Sequence, residues 1–363
     1  MRRASLRVIE PNLVGPSGHY AEFVRALASR MDGCFDGLEV LCDRSAELGS
    51  LSSLRGVCFD RRFPSRGRRV AEWHALRESC ARRAPFLVLT ARAIDVAMLE
   101  AASAGNGARL ADGRLYFHWR ERHALKRAAT ACCARTRRST LAIAPTPSTA
   151  AFLRDSGWRR VLEVPYPVIA PETLAPSTGF RRLLVAGAAR ANKGISLVAA
   201  LAERLAAAGD PVELLVQTTA KRRTGRQGSI EAQAIARMSA SGCRGLRLDP
   251  AAPDRDGYVA RFGGALVLTP YDPGRFADNV SGIALDALLH GAPVVATAGT
   301  WQATLVHRFG AGSIMARWDA DSLASAVADA RARWDECAAG ARTAARALAD
   351  EHDPVHLVRA LAG

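Results

Sequence analysis

Short apolar runs alternate with longer amphipathic stretches along this 363-residue chain, and that alternation constrains its fold more than any other feature. Leu6–Ile9, Leu38–Cys42, Phe86–Thr90, Leu115–His118, Leu141–Pro145 and Val161–Pro165 read as strands. Between them, Tyr20–Met31 has helical period, with Phe23, Val24, Leu27, Ala28 and Met31 on one face. Strands and helices taking turns argue for parallel sheets with helices on their faces. Residues 165–179 hold four prolines and read as an extended linker. The pattern then restarts. Its strands are Leu183–Ala186, Val212–Gln217, Leu246–Leu248, Ala265–Thr269, Val294–Thr297 and Ser313–Met315, and its helices Ile195–Ala207, Ile230–Ser239, Gly282–His290 and Ser322–Trp334. The expectation is an α/β chain of two doubly wound, Rossmann-like domains facing a cleft. The N-terminal domain spans 1–168, a Pro-rich linker 169–179 and the C-terminal domain 180–350. A last helix, 351–363, is expected to pack back on the N-terminal domain.

Composition fits that division. Apolar residues make up 49% of the chain, enough to give each half a core. The formal net charge is +15, and all but three of the basic residues are arginine. Residues 1–180 carry 28 basic and 17 acidic side chains, against 22 and 18 in residues 181–363. A basic first half fits a membrane surface, a phosphate-bearing acceptor or nucleic acid; it fits equally a solvated surface in an Arg-rich proteome. The eight cysteines show no CxxC spacing, so no zinc site or disulfide framework follows, and scattered thiols suit a reducing cytoplasm. The start, Met1–Arg7, lacks the apolar core of a signal peptide. No apolar run approaches the roughly 18 residues that span a bilayer.

The most specific stretch runs Arg275-Phe-Ala-Asp278-Asn-Val-Ser281-Gly282-Ile-Ala-Leu-Asp286-Ala-Leu-Leu-His-Gly291-Ala-Pro293-Val-Val-Ala-Thr297. Its two acids are separated by seven residues, the first expected in a loop and the second on the following helix. Gly291 ends that helix and Pro293 opens a strand. This segment resembles the nucleotide-sugar signature of the retaining glycosyltransferases of family 4, "glycosyl transferases group 1", which share the GT-B architecture. Their usual form has Glu at both acidic positions; here both are Asp. The resemblance covers most of the chain and is more specific in its second half.

The resemblance assigns roles. The loop Gly187-Ala-Ala-Arg190-Ala-Asn-Lys193-Gly194 matches one in which an Arg and a Lys grip the donor diphosphate. Lys193 is the family Lys; the family Arg falls nearer Ala188, so Arg190 is a candidate substitute. Asp286 would accept the ribose hydroxyls, and Ser281, Gly282 and Ile283 would present the helix start to the donor. Asp278 would face sugar hydroxyls. Thr300, in Thr297-Ala-Gly299-Thr300, would touch the donor from a strand end. Gly18, in the Gly-rich loop after the first strand, would let backbone approach a ligand. His118 would orient a sugar hydroxyl or stabilise charge near the anomeric carbon.

Each residue also has a plain structural reading. Asp286 is a favourable acid near a helix N-terminus, worth about 0.3–1 kcal/mol. Asp278 is a solvated loop acid, His118 a structural histidine, and Ser17 an N-cap. Asp254-Arg-Asp256 and Asp319-Ala-Asp321 match the D-x-D pattern of metal-dependent transferases, but each precedes a helix and reads as a cap. No metal or cofactor is expected. Of the Arg clusters at 61–69, 82–83 and 120–138, the last has sparse aromatic interleaving, with Trp119 alone beside it, which argues against nucleic acid and for an anionic membrane face.

The expected function is therefore a cytoplasmic glycosyltransferase of hexosyltransferase type, peripheral on the inner face of the plasma membrane. It would move a sugar from a nucleotide-sugar donor to a glycan or lipid-linked acceptor in cell-surface polysaccharide synthesis. A sugar-nucleotide 2-epimerase of the same fold, or a silent nucleotide-sugar-binding relative, stands as the alternative.

Overall fold

The computed structural model describes residues 4–82, 85–103, 113–120, 124, 127–128, 131, 140–175, 179–218, 225–251 and 253–363. The chain divides into two compact units, Met1–Ile169 with Glu351–Gly363, and Ala170–Asp350. The α/β expectation holds in both. Each is built on a wholly parallel sheet, with α-helices between most of its successive strands.

The N-terminal unit runs β1 (Leu6–Ile9), α1 (His19–Arg30), β2 (Leu38–Asp43), β3 (Val57–Phe63), α2 (Arg68–Arg82), β4 (Phe86–Val88), α3 (Ala93–Ser103), β5 (Gly113–Tyr116), β6 (Leu141–Ala144), α4 (Pro147–Asp155) and β7 (Val161–Glu163). Its seven strands lie in the order β3-β2-β1-β4-β5-β6-β7. The order reverses between β1 and β4, which pair in parallel with Val8 opposite Leu87. In doubly wound sheets ligands bind beyond the strand C-termini at such a reversal.

The C-terminal unit runs β8 (Arg182–Val185), α5 (Ile195–Ala207), β9 (Glu213–Gln217), α6 (Gly225–Ala240), β10 (Leu246–Asp249), α7 (Arg255–Ala260), β11 (Ala265–Thr269), α8 (Pro273–Phe276), α9 (Gly282–Leu289), β12 (Val294–Thr297), α10 (Trp301–Phe309), β13 (Gly312–Met315), α11 (Ala320–Ala332) and α12 (Trp334–Glu351). Its strands lie in the order β10-β9-β8-β11-β12-β13, with the reversal between β8 and β11. The central strands β11 and β12 are buried along their whole length, as continuous apolar runs covered on both faces must be. One core face packs Leu183, Leu214, Leu266 and Val295 against α5 and α11.

The last helix, α13 (Pro354–Ala362), belongs to the N-terminal unit and packs on α1. Asp353 caps it and pairs with Arg30 at 3.1 Å, while His352 Nδ1 meets the carbonyl of Tyr166 at 2.7 Å.

Two elements differ from expectation. Val57–Phe63 forms the edge strand β3, which is not among the strands expected from sequence because Asp60-Arg61-Arg62 interrupts any apolar run. Charged side chains are common on edge strands, where they discourage pairing with other chains. Helix α2 buries Glu72, Ala75, Leu76, Ser79 and Cys80. Its inner stripe thus has helical spacing but mixed polarity, with Glu72 ion-paired to Arg68 and Arg69.

The burial pattern makes a direct prediction for two leucines of the N-terminal sheet. Leu87 in β4 is fully buried and Leu162 in β7 is 39% exposed. Leu87→Ala should cost about 2–5 kcal/mol in urea unfolding, from lost burial and a residual cavity. Leu162→Ala should cost less than about 1 kcal/mol. Equal losses would show that the sheet is not covered as described.

Candidate functional site

The C-terminal reversal gathers most of the residues singled out by sequence. After β8 the chain turns at Gly187, whose φ is +78° and whose N–H donates to Gln217 Oε1 at 2.7 Å. Arg190 is exposed and precedes a single 3-10 turn, Ala191–Lys193. Gly194, at φ +77°, then opens α5. A Cβ on Gly194 would lie 2.1 Å from the carbonyl oxygen of Pro270, so only glycine fits there. The N–H of Asp272 donates to the carbonyl of Asn192 at 3.1 Å. The loop after β8 is thereby stitched to the segment after β11.

This stitching brings side chains together. Lys193 Nζ stands 5.2 Å from the ring centre of Tyr271. It also lies 3.7 Å from the point where a Gly187 Cβ would sit, and Ile283 Cδ1 lies 3.1 Å from that same point. Lys193 and Ile283, ninety residues apart in sequence, therefore converge on the bare backbone of Gly187.

Ser281 caps α9, its Oγ accepting from the N–H of Ala284 at 3.3 Å. Gly282 is exposed at the start of the same helix, where unshared N–H groups favour an anion. Asp278 is half-buried in the preceding loop, next to Asn279, whose Nδ2 donates to Arg275 O at 2.9 Å. Asp286 lies on the second turn of α9 and accepts from the phenol of Tyr258 at 2.8 Å. Thr300 is only 1% exposed and donates its hydroxyl to Thr297 O at 2.6 Å. That places it in strand-end packing rather than on an open surface.

Gly18 and His118 belong to the N-terminal unit. Gly18 has φ +90°, is exposed and precedes α1. Its loop starts at Glu10, a fully buried carboxylate that accepts from Asn12 N (2.8 Å), Asn12 Nδ2 (2.7 Å) and Thr90 Oγ1 (2.7 Å). Burial raises the pKa of Glu10, and these hydrogen bonds oppose the rise. Glu10 and Thr90 stand at the ends of β1 and β4, so this contact clamps the N-terminal reversal.

His118 lies two residues beyond β5, not on the strand as expected. It is 8% exposed, with the rings of Tyr116, Phe23 and Tyr166 at 4.9, 5.6 and 5.7 Å. Burial, then His19, lowers its pKa to about 3, so the ring is neutral near pH 7. Nε2 lies 2.9 Å from Leu89 O, which makes Nε2 the donor and Nδ1 the acceptor. Charge stabilisation by an imidazolium is thus not what this ring offers; accepting a hydrogen bond at Nδ1 is.

Both D-x-D runs serve as caps. Asp254 accepts from Gly257 N and Asp319 from Ser322 N, each at 2.8 Å. A cavity of about 540 Å³ lies apart from the converged residues, between Arg182, Glu213, Arg247 and Arg261. Its guanidiniums are drawn to Glu213 and Asp249, so volume alone does not mark the site. Among the basic clusters, Arg62, Arg68, Arg69 and Arg82 are ion-paired. Arg83, Arg122, Lys126, Arg135, Arg137 and Arg138 lie outside the described residues. Sequence reasoning missed Gln217, Tyr271 and Tyr258; an isolated tyrosine just after the Asp254 cap was the one available signal for the last.

No protein-family model matches the chain, and no curated protein matches it in sequence. Solved structures do match its fold. Sucrose-phosphate synthase from Thermosynechococcus elongatus is 13% identical, with 99% of this chain and 96% of that one covered and a TM-score of 0.72. The Anabaena protein HepE, solved in complex with UDP and glucose, is 13% identical over 98% of each chain at a TM-score of 0.70. WaaG, a glycosyltransferase involved in lipopolysaccharide biosynthesis, is 16% identical over 98% of each chain at 0.67. The fold is that of GT-B glycosyltransferases.

The neutral state of His118 predicts a pH dependence. An ordinary histidine binds its proton below about pH 6.5, whereas His118 in the folded chain does so only near pH 3. Between those values the unfolded chain holds more protons, so stability present above pH 6.5 is lost as pH falls towards 3. The slope from one such group is at most about 1.4 kcal/mol per pH unit. Buried His352 is shifted the same way, so acid sensitivity should be reduced but not abolished in His118→Gln. Denaturant unfolding from pH 7 to 4 measures the difference; parallel curves would mean that His118 is charged in the folded state.

Proposed function

We propose that this chain is a retaining glycosyltransferase that takes its sugar from a nucleotide-sugar donor. The observation that carries the reading is the convergence of Lys193 and Ile283 on Gly187, beside the capped start of α9 and at the reversal of a doubly wound sheet. HepE, which shares the fold, was solved with UDP and glucose.

Departure of a nucleoside diphosphate builds negative charge on its phosphate oxygens. Lys193 and Arg190 would meet that charge, aided by the N–H groups of Gly282 and Ile283 at the start of α9. The leaving phosphate oxygen would help deprotonate the acceptor hydroxyl, so no protein nucleophile is assigned. Asp286 would take the ribose hydroxyls. In the C-terminal unit Asp278 would face sugar hydroxyls; in the N-terminal unit the Nδ1 acceptor of His118 would take a hydrogen bond from a hydroxyl. The acceptor would be a glycan or lipid-linked sugar held by the N-terminal unit, in cell-surface polysaccharide synthesis. WaaG, with the same fold, is involved in lipopolysaccharide biosynthesis. Among the described residues no helix is long and apolar enough to cross a membrane. Contact with an anionic membrane would be peripheral and would rest on the basic first half.

Calorimetry with UDP, GDP and ADP should find one that binds the wild type. Lys193→Ala should weaken that nucleotide by about 1.5–3 kcal/mol, the range for a hydrogen bond to a charged group. Unchanged affinity would remove Lys193 from the donor site.

Chemistry that relies on these cations needs no divalent metal. Turnover in EDTA should equal turnover with magnesium, with a glycosylated acceptor rather than an epimerised donor as product. Activity lost in EDTA, restored by manganese and abolished by Asp254→Ala would overturn the cap reading.

A further inference from the structure

Asp286 is held from outside its own helix. The phenol of Tyr258, on α7, donates to Asp286 Oδ2 at 2.8 Å. Four residues further along each segment, Phe262 stacks on His290, with centroids 5.6 Å apart and planes within 4°. Tyr258 and Phe262 also meet edge to face, at 5.1 Å and 86°. A pair spaced i, i+4 on one segment therefore meets a pair spaced i, i+4 on the other. The lower rung is apolar and anchored, since Phe262 is 2% exposed. Burial, with Arg255 adding to it, lowers the pKa of His290, which suits a neutral ring stacked on phenyl. The upper rung is a hydroxyl on a carboxylate.

We propose that Tyr258 is a positioning residue for nucleotide selection, fixing the Asp286 carboxylate so that it reads the ribose hydroxyls of a nucleoside diphosphate. This rests on the donor-site reading above. An aspartate side chain turns about two bonds, and its head is held in one orientation only if something holds it. Here one holder comes from a different helix, kept in register by the Phe262–His290 stack. A carboxylate accepts at about four lone-pair positions, so engagement by a phenol is compatible with taking hydroxyls from a ribose. The shorter reach of Asp compared with Glu makes a fixed orientation more valuable, because less of the side chain can adjust to the sugar. Tyr258 lies 28 residues before Asp286, in a helix that itself starts at the Asp254 cap.

The test uses the full chain and two substitutions. Tyr258→Phe removes only the hydroxyl and keeps the ring contact with Phe262, so the fold is retained. The nucleoside diphosphate that binds the wild type is compared by calorimetry with its 2′-deoxy and 3′-deoxy forms. The wild type should prefer the ribonucleotide by roughly tenfold or more, as the loss of a hydrogen bond to a charged acceptor implies. Tyr258→Phe should cut that preference to within about threefold, because ribonucleotide binding weakens more than deoxynucleotide binding, while a single cooperative melting transition is kept. Asp286→Asn should lose the preference as well. A Tyr258→Phe protein that keeps the full preference overturns the assignment. So does one that loses ribo and deoxy affinity equally together with melting temperature, because that marks a merely structural tyrosine. A wild type that binds nucleotide but does not discriminate overturns it too. A wild type that binds none of the three nucleotides removes the donor-site reading itself, and the role of Tyr258 with it.

Discussion

One backbone hydrogen bond, from the N–H of Asp272 to the carbonyl of Asn192 at 3.1 Å, governs the geometry of the C-terminal site. It ties the loop after β8 to the segment after β11, the two strands that flank the reversal in sheet order. Close approach follows, and Gly194 meets the Pro270 carbonyl with no room for a Cβ. The left-handed conformation at Gly194 costs nothing special in glycine but would cost about 1–2 kcal/mol in any other residue. With the loops joined, Lys193 sits beside this segment, its Nζ 5.2 Å from the ring centre of Tyr271 and close to the bare backbone of Gly187.

The N-terminal reversal is built on different chemistry. There the loop after β1 is clamped by a buried carboxylate, Glu10, rather than by backbone alone. The desolvation it suffers is opposed, though not cancelled, by three hydrogen bonds, one of them from Thr90 at the end of β4. Beside it, His118 is enclosed by rings and tied to Leu89 O. The same topological position thus carries a cation and open N–H groups in one unit and a neutral acceptor in an aromatic shell in the other.

Legibility followed burial. Ala265–Thr269 and Val294–Thr297 were readable to the residue because both faces of those strands are covered, so every position is apolar or small. Helix α2 was not, because its inner stripe includes Glu72 and Ser79, and a buried ion pair does not register as hydrophobic period. Edge strand β3 was hidden by its own charges. In the site, Lys193 and the capped start of α9 were legible from local pattern. Tyr258 and Gln217 were not, since each acts on a partner about thirty residues away that only the tertiary fold brings near. The protonation of His118 was likewise invisible: it depends on Phe23, Tyr166 and Leu89, none of them adjacent in sequence.

Formal charge overstates what the N-terminal unit offers to an anionic surface. Arg7, with its side chain only 4% exposed, reaches both Glu39 and Glu78. Glu78 also takes Arg62 and Arg82, and Glu39 takes Arg82 again. Together they lower the pKa of Glu78, against the rise that its burial alone would cause. Arg68 and Arg69 close on Glu72 in the same way. Arg7 and Arg62 tie α2 to β1 and to edge strand β3 through Glu78, Arg82 ties it to Glu39 of β2, and Arg68 and Arg69 pair within α2; their fields are largely cancelled at contact range before screening by salt shortens what remains. Membrane attraction, where it operates, must therefore draw on arginines outside this network. A count of basic residues is a statement about composition; the potential a membrane meets depends on which of them the fold has already engaged.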